Sequence, residues 1–313
     1  MAESKIKPIP RIREEILQAI NSDNLAIFMG AGVSRLIGCM GWDELAKNLV
    51  KRCFHTTTRE GTSCISPKEM ETLSQYPDHK KTISICHHIL KKESFDDMFY
   101  EELENSLKPN EALVKSHNIF NEIYGLRGLF ITTNIDGYFD DKFMASRLVY
   151  QEKDFFPENV DRTKLYHIHG SIKGRESIIF TVSQYMNRYN NPQFRAFLER
   201  IFREYVVLFV GYGLAEFELL DFLITKVDSN RKEKELRHFT LQGFYRGQDN
   251  ILEFEEAYYN EMGIRVLAYE KDERGYQQLY EVIKAWNKEV NQTSAYLYDS
   301  RKEIEEIIKT YGK

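Results

Sequence analysis

The sequence predicts an α/β protein with a doubly wound, mostly parallel Rossmann-like sheet, and three observations support this prediction. Strand-like apolar runs alternate with amphipathic helical segments along most of the 313 residues. One apolar run, residues 25–29, leads directly into the glycine turn Gly30-Ala-Gly-Val-Ser34. Another, residues 205–210, is apolar at nearly every position, as is usual for central parallel strands with both faces covered.

The remaining elements follow from the period of the apolar residues and from the positions of Gly, Pro and polar loops. We expect strands over residues 25–29, 128–133, 165–169, 177–181, 205–210, 238–244 and 264–268. Between them we expect helices over residues 11–22, 42–54, 191–204, 215–227, 251–262 and 276–290.

A long helical stretch interrupts this alternation. After a polar loop at residues 55–66, the spacing of apolar residues stays helical from Pro67 to Tyr124. We therefore predict an all-helical insertion over residues 55–124, within a nucleotide-binding core formed by residues 1–54 and 125–290. Residues 291–313 contain a last amphipathic helix, which would serve in dimerisation or begin a further region.

The composition of the chain indicates which kinds of partner it is not expected to bind. The formal net charge of −5 and the scattered aromatic residues give no basic patch, so we expect no direct nucleic-acid binding. The four cysteines form no C-x-x-C pair, which argues against a zinc ribbon and fits a reducing compartment. No stretch approaches the roughly 20 apolar residues of a membrane span. We therefore expect a cytoplasmic protein without membrane contact.

Polar or glycine residues follow four of the predicted strands. They are Gly30 to Ser34, Thr133 to Asp136, His169-Gly170 and Gly211-Tyr-Gly213. The carboxyl ends of parallel strands meet at one edge of a sheet, and α/β proteins bind their ligands there. Glycines at such turns let a phosphate approach the backbone closely. The sequence therefore predicts a dinucleotide site at this edge.

In this order, the four segments resemble the catalytic core of the sirtuins. Gly30-Ala-Gly-Val-Ser34 is similar to the family's G-A-G-x-S turn, Thr133-Asn-Ile-Asp136 to its T-Q-N-I-D loop, and His169-Gly170 to its H-G pair. Two features differ from sirtuin deacylases. No cysteine follows Cys86, so the four-cysteine zinc module is absent, and Gly211-Tyr-Gly213 replaces the usual G-T-S loop.

The helical insertion and the run Gly41-Trp-Asp-Glu-Leu45 look more like the bacterial sirtuin-like domains of anti-phage defence proteins. That resemblance implies an NAD glycohydrolase, which cleaves NAD to nicotinamide and ADP-ribose and depletes NAD in abortive infection. NAD is then the substrate, and no metal is expected.

The chemistry of this cleavage agrees with the residues present. The leaving nicotinamide is already a cationic pyridinium, so the site must mainly orient the ribose and accept a proton from water. We assign Asn134, His169 and Asp136 as catalytic residues: Asn134 holds water or ribose, His169 takes the proton, and Asp136 binds substrate or braces the loop. Of His167 and His169, we expect only His169 to face the site. The predicted NAD-binding residues are Gly30, Ala31, Gly32, Ser34, Thr133, Gly211, Tyr212 and Gly213.

Two other functions remain open from the sequence. One is an NAD-dependent ADP-ribosyl transferase or deacylase, and the other is a non-catalytic sensor or assembly module that binds NAD or ADP-ribose. Because free NAD hydrolysis would poison a cell, we also expect control by a homo-oligomer or by a protein activator, either phage-derived or a component of the defence system.

Overall fold

The structure of the protein is a computed structural model that describes residues 4–213 and 237–292. The helix predicted at 215–227 and all but the first two residues of the region 291–313, where a last helix is predicted, lie outside these residues. The described core is a seven-stranded sheet in which every strand pair is parallel. The predicted parallel, Rossmann-like α/β fold is thereby confirmed. The strands are β1 Leu25–Met29, β2 Leu129–Thr132, β3 Leu148–Val149, β4 Leu165–His167, β5 Val206–Val210, β6 His238–Phe244 and β7 Ile264–Glu270.

The strand order is β3-β4-β2-β1-β5-β6-β7, so the chain starts in the centre of the sheet and builds outward on both sides. The order reverses next to β1, since β2 lies on one side of it and β5 on the other. Such a switch point is where open parallel sheets bind ligands, because the loops leaving the neighbouring strands diverge there.

Helices flank both faces of the sheet and also form a separate layer. The described α-helices are Glu14–Asn21, Ala31–Arg35, Trp42–His55, Pro67–Ser74, His79–Lys92, Asp96–Ser106, Glu111–Ser116, Ile119–Gly125, Val182–Asn190, Pro192–Glu204 and Asp249–Asn260, and residues 278–292 are also helical. None of the described helices is long and apolar enough to cross a membrane.

The structure differs from the sequence prediction in four places. The short strand β3, Leu148–Val149, was not predicted. Residues 177–181 are not a strand: a 3-10 turn, Arg175–Ser177, is followed by an irregular segment. Near the end of the stretch predicted to be helical up to Tyr124, the chain forms two helices, because Asn118 accepts a hydrogen bond from Phe120 N and starts a new helix. The helix Val182–Asn190 was not predicted, although Thr181 and Gln184 form a capping box at its start.

The register of the strands explains why the predicted site residues converge. Val210, Met29, Thr132 and His167 stand side by side on four adjacent strands, β5, β1, β2 and β4. Because these strands all run in one direction, the residues that follow them leave the sheet at one edge. Three buried hydrophobic clusters surround this edge, one on each face of the sheet and one among the helices.

The third cluster forms a roof over the carboxyl edge of the sheet. Helices Trp42–His55, His79–Lys92 and Asp96–Ser106 pack their apolar faces together, and Ile135 and Phe180 from the sheet loops join them. Helix Ile119–Gly125 instead packs on a sheet face. The division of the chain into a core, a helical insertion at 55–124 and a C-terminal helix remains a prediction.

Candidate active site

A cleft of about 900 Å³ lies between the carboxyl edge of the sheet and the helical cluster. The strand ends provide its floor, and helical residues such as Leu45 and Leu103 provide part of its roof. Of the residues assigned from sequence, Gly30 does not line the cleft. The others do: Ala31, Gly32, Ser34, Thr133, Asn134, Asp136, His169, Gly211, Tyr212 and Gly213.

Two glycine loops meet at the floor of this cleft. Gly32 N donates a 2.8 Å hydrogen bond to the carbonyl oxygen of Gly211, and Gly30 N donates to Val210 O over 3.1 Å. A Cβ atom at Gly32 would lie 2.7 Å from Gly211 O, so the contact requires glycine. From the sequence, the Gly30 and Gly32 amides were expected to face a phosphate. In this structure both amides donate to backbone carbonyls, and the glycines allow the β1 and β5 loops to touch.

A buried hydrogen-bond network joins the glycine turn to the loop after β2. Asn134 Nδ2 donates to Ser34 Oγ over 2.8 Å and to Gly30 O over 3.0 Å. The Ser34 hydroxyl in turn donates to Asp136 Oδ2 over 2.6 Å. The backbone N–H of Asn134 is held by Thr132 Oγ1 at 2.9 Å. The three predicted residues Ser34, Asn134 and Asp136 are therefore brought into direct contact.

Burial dominates the electrostatics of Asp136. The residue is 5% exposed, and this burial raises the pKa of its carboxyl group, while the hydrogen bonds from Ser34 and from Tyr138 N act in the opposite direction. A carboxyl group with a raised pKa beside a hydroxyl and an amide is typical of functional sites.

His169 lies on the other side of the cleft, in a pocket made by two tyrosines. Its Nε2 is 2.9 Å from the hydroxyl oxygen of Tyr189, and its ring meets the Tyr185 ring edge-on at a centroid distance of 4.9 Å. Both tyrosines come from helix Val182–Asn190, one helical turn apart, and the sequence analysis missed them. The Thr181–Gln184 capping box was the signal that could have revealed this helix.

The backbone after His169 also depends on glycine. Gly170 has φ +84°, and a Cβ there would lie 2.2 Å from Ser177 O. Ile179 N donates to His169 O over 3.0 Å, so the segment once predicted as a strand instead braces the histidine loop.

His167 does not line the cleft and lies behind Asn134. Its Nδ1 is 2.9 Å from the backbone carbonyl oxygen of Asn134, and its Nε2 is 2.8 Å from Asp140 Oδ1. The side chains of His167 and Asp140 are each 1% exposed. Strand β4 ends at His167, so the two histidines are held by different partners.

Charged residues that the sequence analysis missed also line the cleft. Arg35 follows the glycine turn and lies 5.9 Å from the ring centre of Tyr276. Glu255 enters from helix Asp249–Asn260, beside Tyr259 and near the end of β6. Neither residue belongs to a recognisable motif, so only the fold reveals its position. Among the described residues, no group of three or more His, Cys, Asp or Glu side chains is arranged to hold a metal ion.

Comparison with known proteins agrees with this arrangement. Residues 128–267, which run from β2 into β7, match the family model of the SIR2-like domain. Over 210 residues the chain is 28% identical to the NAD(+) hydrolase ThsA of Enterococcus faecium. The aligned region covers 64% of this chain and 39% of that protein, so the chain spans well under half of its relative's length. The resemblance predicted from the sequence is confirmed as a match to the SIR2-like domain over residues 128–267 and a partial similarity to an NAD(+) hydrolase.

Proposed function

We propose that this protein is an NAD glycohydrolase, which uses water to cleave the bond between nicotinamide and ribose. The observation that carries the proposal is the convergence of Asn134, Ser34, Asp136 and His169 on one cleft at the switch point of the sheet. A 28% identical relative that is named an NAD(+) hydrolase supports the same reaction.

The reaction balances without a redox partner or a metal. Water adds to the anomeric carbon of the ribose, the glycosidic C–N bond breaks, and its electron pair neutralises the pyridinium of nicotinamide. ADP-ribose forms and one proton is released. The transition state resembles an oxocarbenium ion, as in other glycosyl transfers. The site must therefore orient the ribose and the water and receive that proton.

Asn134 is suited to orient the substrate because its side chain is already fixed. Its Nδ2 is held by two acceptors in the protein, Gly30 O and Ser34 Oγ, so its Oδ1 is turned in a defined direction. A fixed amide oxygen can accept a hydrogen bond from the ribose or from the attacking water. Asp136, at the end of this network, steadies Ser34 and hence Asn134.

His169 is suited to receive the proton. An imidazole exchanges protons near neutral pH, and its Nε2 contact with the Tyr189 hydroxyl fixes the plane of the ring. The aromatic residues around it help to exclude bulk water, which strengthens electrostatic effects in the cleft. Gly211, Tyr212 and Gly213 follow β5 and would contact the adenosine half of NAD.

We further propose a role in anti-phage defence, in which NAD is depleted after infection is sensed. Support comes from the sequence resemblance to sirtuin-like defence domains and from the helical layer over the cleft. Such an enzyme needs control, so we expect activity to rise on self-association or on addition of a protein activator. Full activity of a dilute monomer, with no dependence on protein concentration, would contradict this regulatory part.

The central test is nicotinamide release from NAD by the purified protein, followed by chromatography. We expect wild type to produce nicotinamide and ADP-ribose, and Asn134→Ala and His169→Ala to lose about 100-fold or more in kcat. The matched controls Asn105→Ala and His88→Ala alter exposed residues that do not line the cleft and should behave like wild type.

The products separate the alternatives. Transfer of ADP-ribose to protein, or deacylation coupled to NAD cleavage, would favour a transferase or a deacylase. A sensor would be favoured if calorimetry detects NAD binding but no turnover occurs at any protein concentration, whether or not the protein self-associates.

A further inference from the structure

A chain of three side chains lies behind Asn134 and has no direct part in the proposed reaction. Lys173 Nζ is 2.8 Å from Asp140 Oδ2, and Asp140 Oδ1 is 2.8 Å from His167 Nε2. His167 Nδ1 is 2.9 Å from the carbonyl oxygen of Asn134. Lys173 is half-exposed, whereas Asp140 and His167 are buried. The chain thus connects a surface charge to the backbone of a proposed catalytic residue.

The donors and acceptors in this chain have a defined direction. A carbonyl oxygen and a carboxylate oxygen can only accept, so His167 Nδ1 donates to Asn134 O and His167 Nε2 donates to Asp140 Oδ1. Burial alone would raise the pKa of Asp140, but the hydrogen bonds and charges of His167 and Lys173 hold it below its ordinary value. Asp140 therefore remains a carboxylate, and it fixes the orientation of the His167 ring.

The His167–Asn134 hydrogen bond lies between two backbone hydrogen bonds that join the two loops of the site. Ile168 N donates to Thr132 O over 2.9 Å, and Ile172 N donates to Ile135 O over 2.8 Å. With the His167–Asn134 contact between them, these bonds join the loop that carries Asn134 to the loop that carries His169. A displacement of the Asn134 backbone would therefore change its position relative to His169.

We propose that Asp140 and His167 are positioning residues for the reaction, which set the place of the Asn134 side chain by holding its backbone carbonyl. This inference rests on the proposed function, because it assigns Asn134 a role in turnover. In other sites, too, a carboxylate fixes the orientation of a histidine, and the histidine then holds the group that takes part in binding or catalysis. Neither residue needs to touch NAD.

The first variant is Asp140→Asn, with Asp141→Asn as its matched control at the next, exposed position. We expect Asp140→Asn to lower kcat by about 10- to 100-fold, since a small misplacement of a catalytic group has effects of this size. The KM for NAD should change by less than about threefold, because the lost interaction acts in the transition state. Asp141→Asn should retain the wild-type kcat.

A double-mutant cycle separates positioning from a general loss of structure. In an Asn134→Ala background, Asp140→Asn should lower kcat no further, because the group that it positions is gone. A merely structural role would lower kcat by the same factor in both backgrounds, and that result would overturn the proposal. Lys173→Met, at the exposed end of the chain, provides a second variant if Asp140→Asn does not fold, and its expected loss is smaller.

A readout that does not depend on turnover keeps this test separate from the proposed function. The side-chain amide resonance of Asn134 can be assigned by its disappearance in Asn134→Ala. Asp140→Asn should shift this resonance, and Asp141→Asn should leave it in place. An unshifted resonance in Asp140→Asn would overturn the positioning role. If the resonance shifts in Asp140→Asn but the wild-type protein never releases nicotinamide, the positioning role stands and the proposed function is contradicted.

Discussion

Ser34 donates a 2.6 Å hydrogen bond to Asp136, although the two residues are 102 positions apart in the chain. This bond joins the turn after β1 to the loop after β2, and Asn134 Nδ2 donates to the same hydroxyl. Both loops begin at one edge of the sheet because Met29 and Thr132 are paired. The network is therefore a direct consequence of strand register, and it places a buried carboxyl group beside the proposed catalytic amide.

Removal of this hydroxyl should destabilise the protein in a pH-dependent way. Burial raises the pKa of Asp136 in the folded protein, and the Ser34 hydrogen bond opposes that shift. Because the folded pKa lies above the unfolded value of 3.8, ionisation of Asp136 reduces stability as pH rises above that value. We expect Ser34→Ala to lower the free energy of unfolding by about 1–3 kcal/mol at pH 7 and by less at pH 4.

Urea denaturation at both pH values measures this difference. Ser74→Ala is the control, since that hydroxyl is exposed and bonds within its own helix to Met70 O. An equal loss at pH 4 and pH 7 for Ser34→Ala would show that the bond to Asp136 does not oppose its ionisation.

The contact between the two glycine loops predicts a steric effect at Gly32. An added methyl group would lie 2.7 Å from Gly211 O and would push the β1 and β5 loops apart. We expect Gly32→Ala to lower stability by about 1–3 kcal/mol and to weaken NAD binding. Gly213→Ala is the matched control for stability alone, because a Cβ there has no described atom within 4 Å. Thermal unfolding compares the two variants, calorimetry compares NAD binding by Gly32→Ala and wild type, and equal stability of both variants would refute the steric account.

A buried histidine at the start of β6 predicts a loss of stability in mild acid. Burial, assisted by the charge of Arg237, lowers the pKa of His238 from 6.5 to about 4, and its Nδ1 accepts a hydrogen bond from Val207 N. The unfolded chain therefore takes up a proton before the folded protein does as pH falls below 6.5. Stability from this group is present at neutral pH and decreases by about 3 kcal/mol by pH 4.

Urea denaturation of His238→Gln should therefore show a shallower decline of stability between pH 6.5 and pH 4 than wild type shows. The exposed His88→Gln variant should keep the wild-type slope. If His238→Gln and wild type lost stability in parallel over this range, His238 would not be the group responsible.

The carboxylate of Glu255 in the cleft predicts that NAD is used in preference to NADP. Glu255 lines the cleft beside Tyr259, at the end of the sheet where the adenosine half would lie. A carboxylate there can accept hydrogen bonds from ribose hydroxyls and repels a 2′-phosphate. We expect kcat/KM for NAD to exceed that for NADP by about 10-fold or more.

Glu255→Gln should reduce this preference mainly by improving the use of NADP. Glu256→Gln, which removes the neighbouring carboxylate that pairs with Lys5 at 2.8 Å, is the control and should leave the ratio unchanged. A ratio that is the same in wild type and Glu255→Gln would mean that Glu255 does not face the 2′ position.

The sequence was sufficient to predict six of the seven described strands and the convergence of the site. Apolar runs followed by polar or glycine residues identify parallel strands and their carboxyl ends, which is why Ser34, Asn134 and His169 could be placed at one edge. The run at 177–181 misled the prediction because Ile178 and Phe180 pack into the helical cluster, while Ile179 packs against the sheet. Apolar side chains that point alternately to two sides are also typical of a β-strand, so the pattern in this segment resembles that of a strand.

Other parts of the site depend on contacts that no local pattern reveals. Helix Val182–Asn190 was missed because its buried face includes Arg188, which donates to Ile168 O over 2.7 Å and lies near two phenylalanine rings. An arginine is normally taken as an exposed residue. The sequence of this segment therefore shows no continuous apolar face, and no helix was predicted. The contact of Tyr189 with His169 and the engagement of the Gly32 amide by Gly211 likewise appear only after folding.

The most direct test of the central claim measures turnover and binding side by side in wild type and Asn134→Ala. We predict that wild type releases nicotinamide and ADP-ribose in equal amounts, and that Asn134→Ala still binds NAD in a calorimeter while its turnover is lost. That result would place Asn134 in the chemistry of NAD cleavage. Undiminished nicotinamide release by Asn134→Ala would contradict the account. So would NAD that stays intact after prolonged incubation with wild type at high protein concentration, including any oligomer that forms.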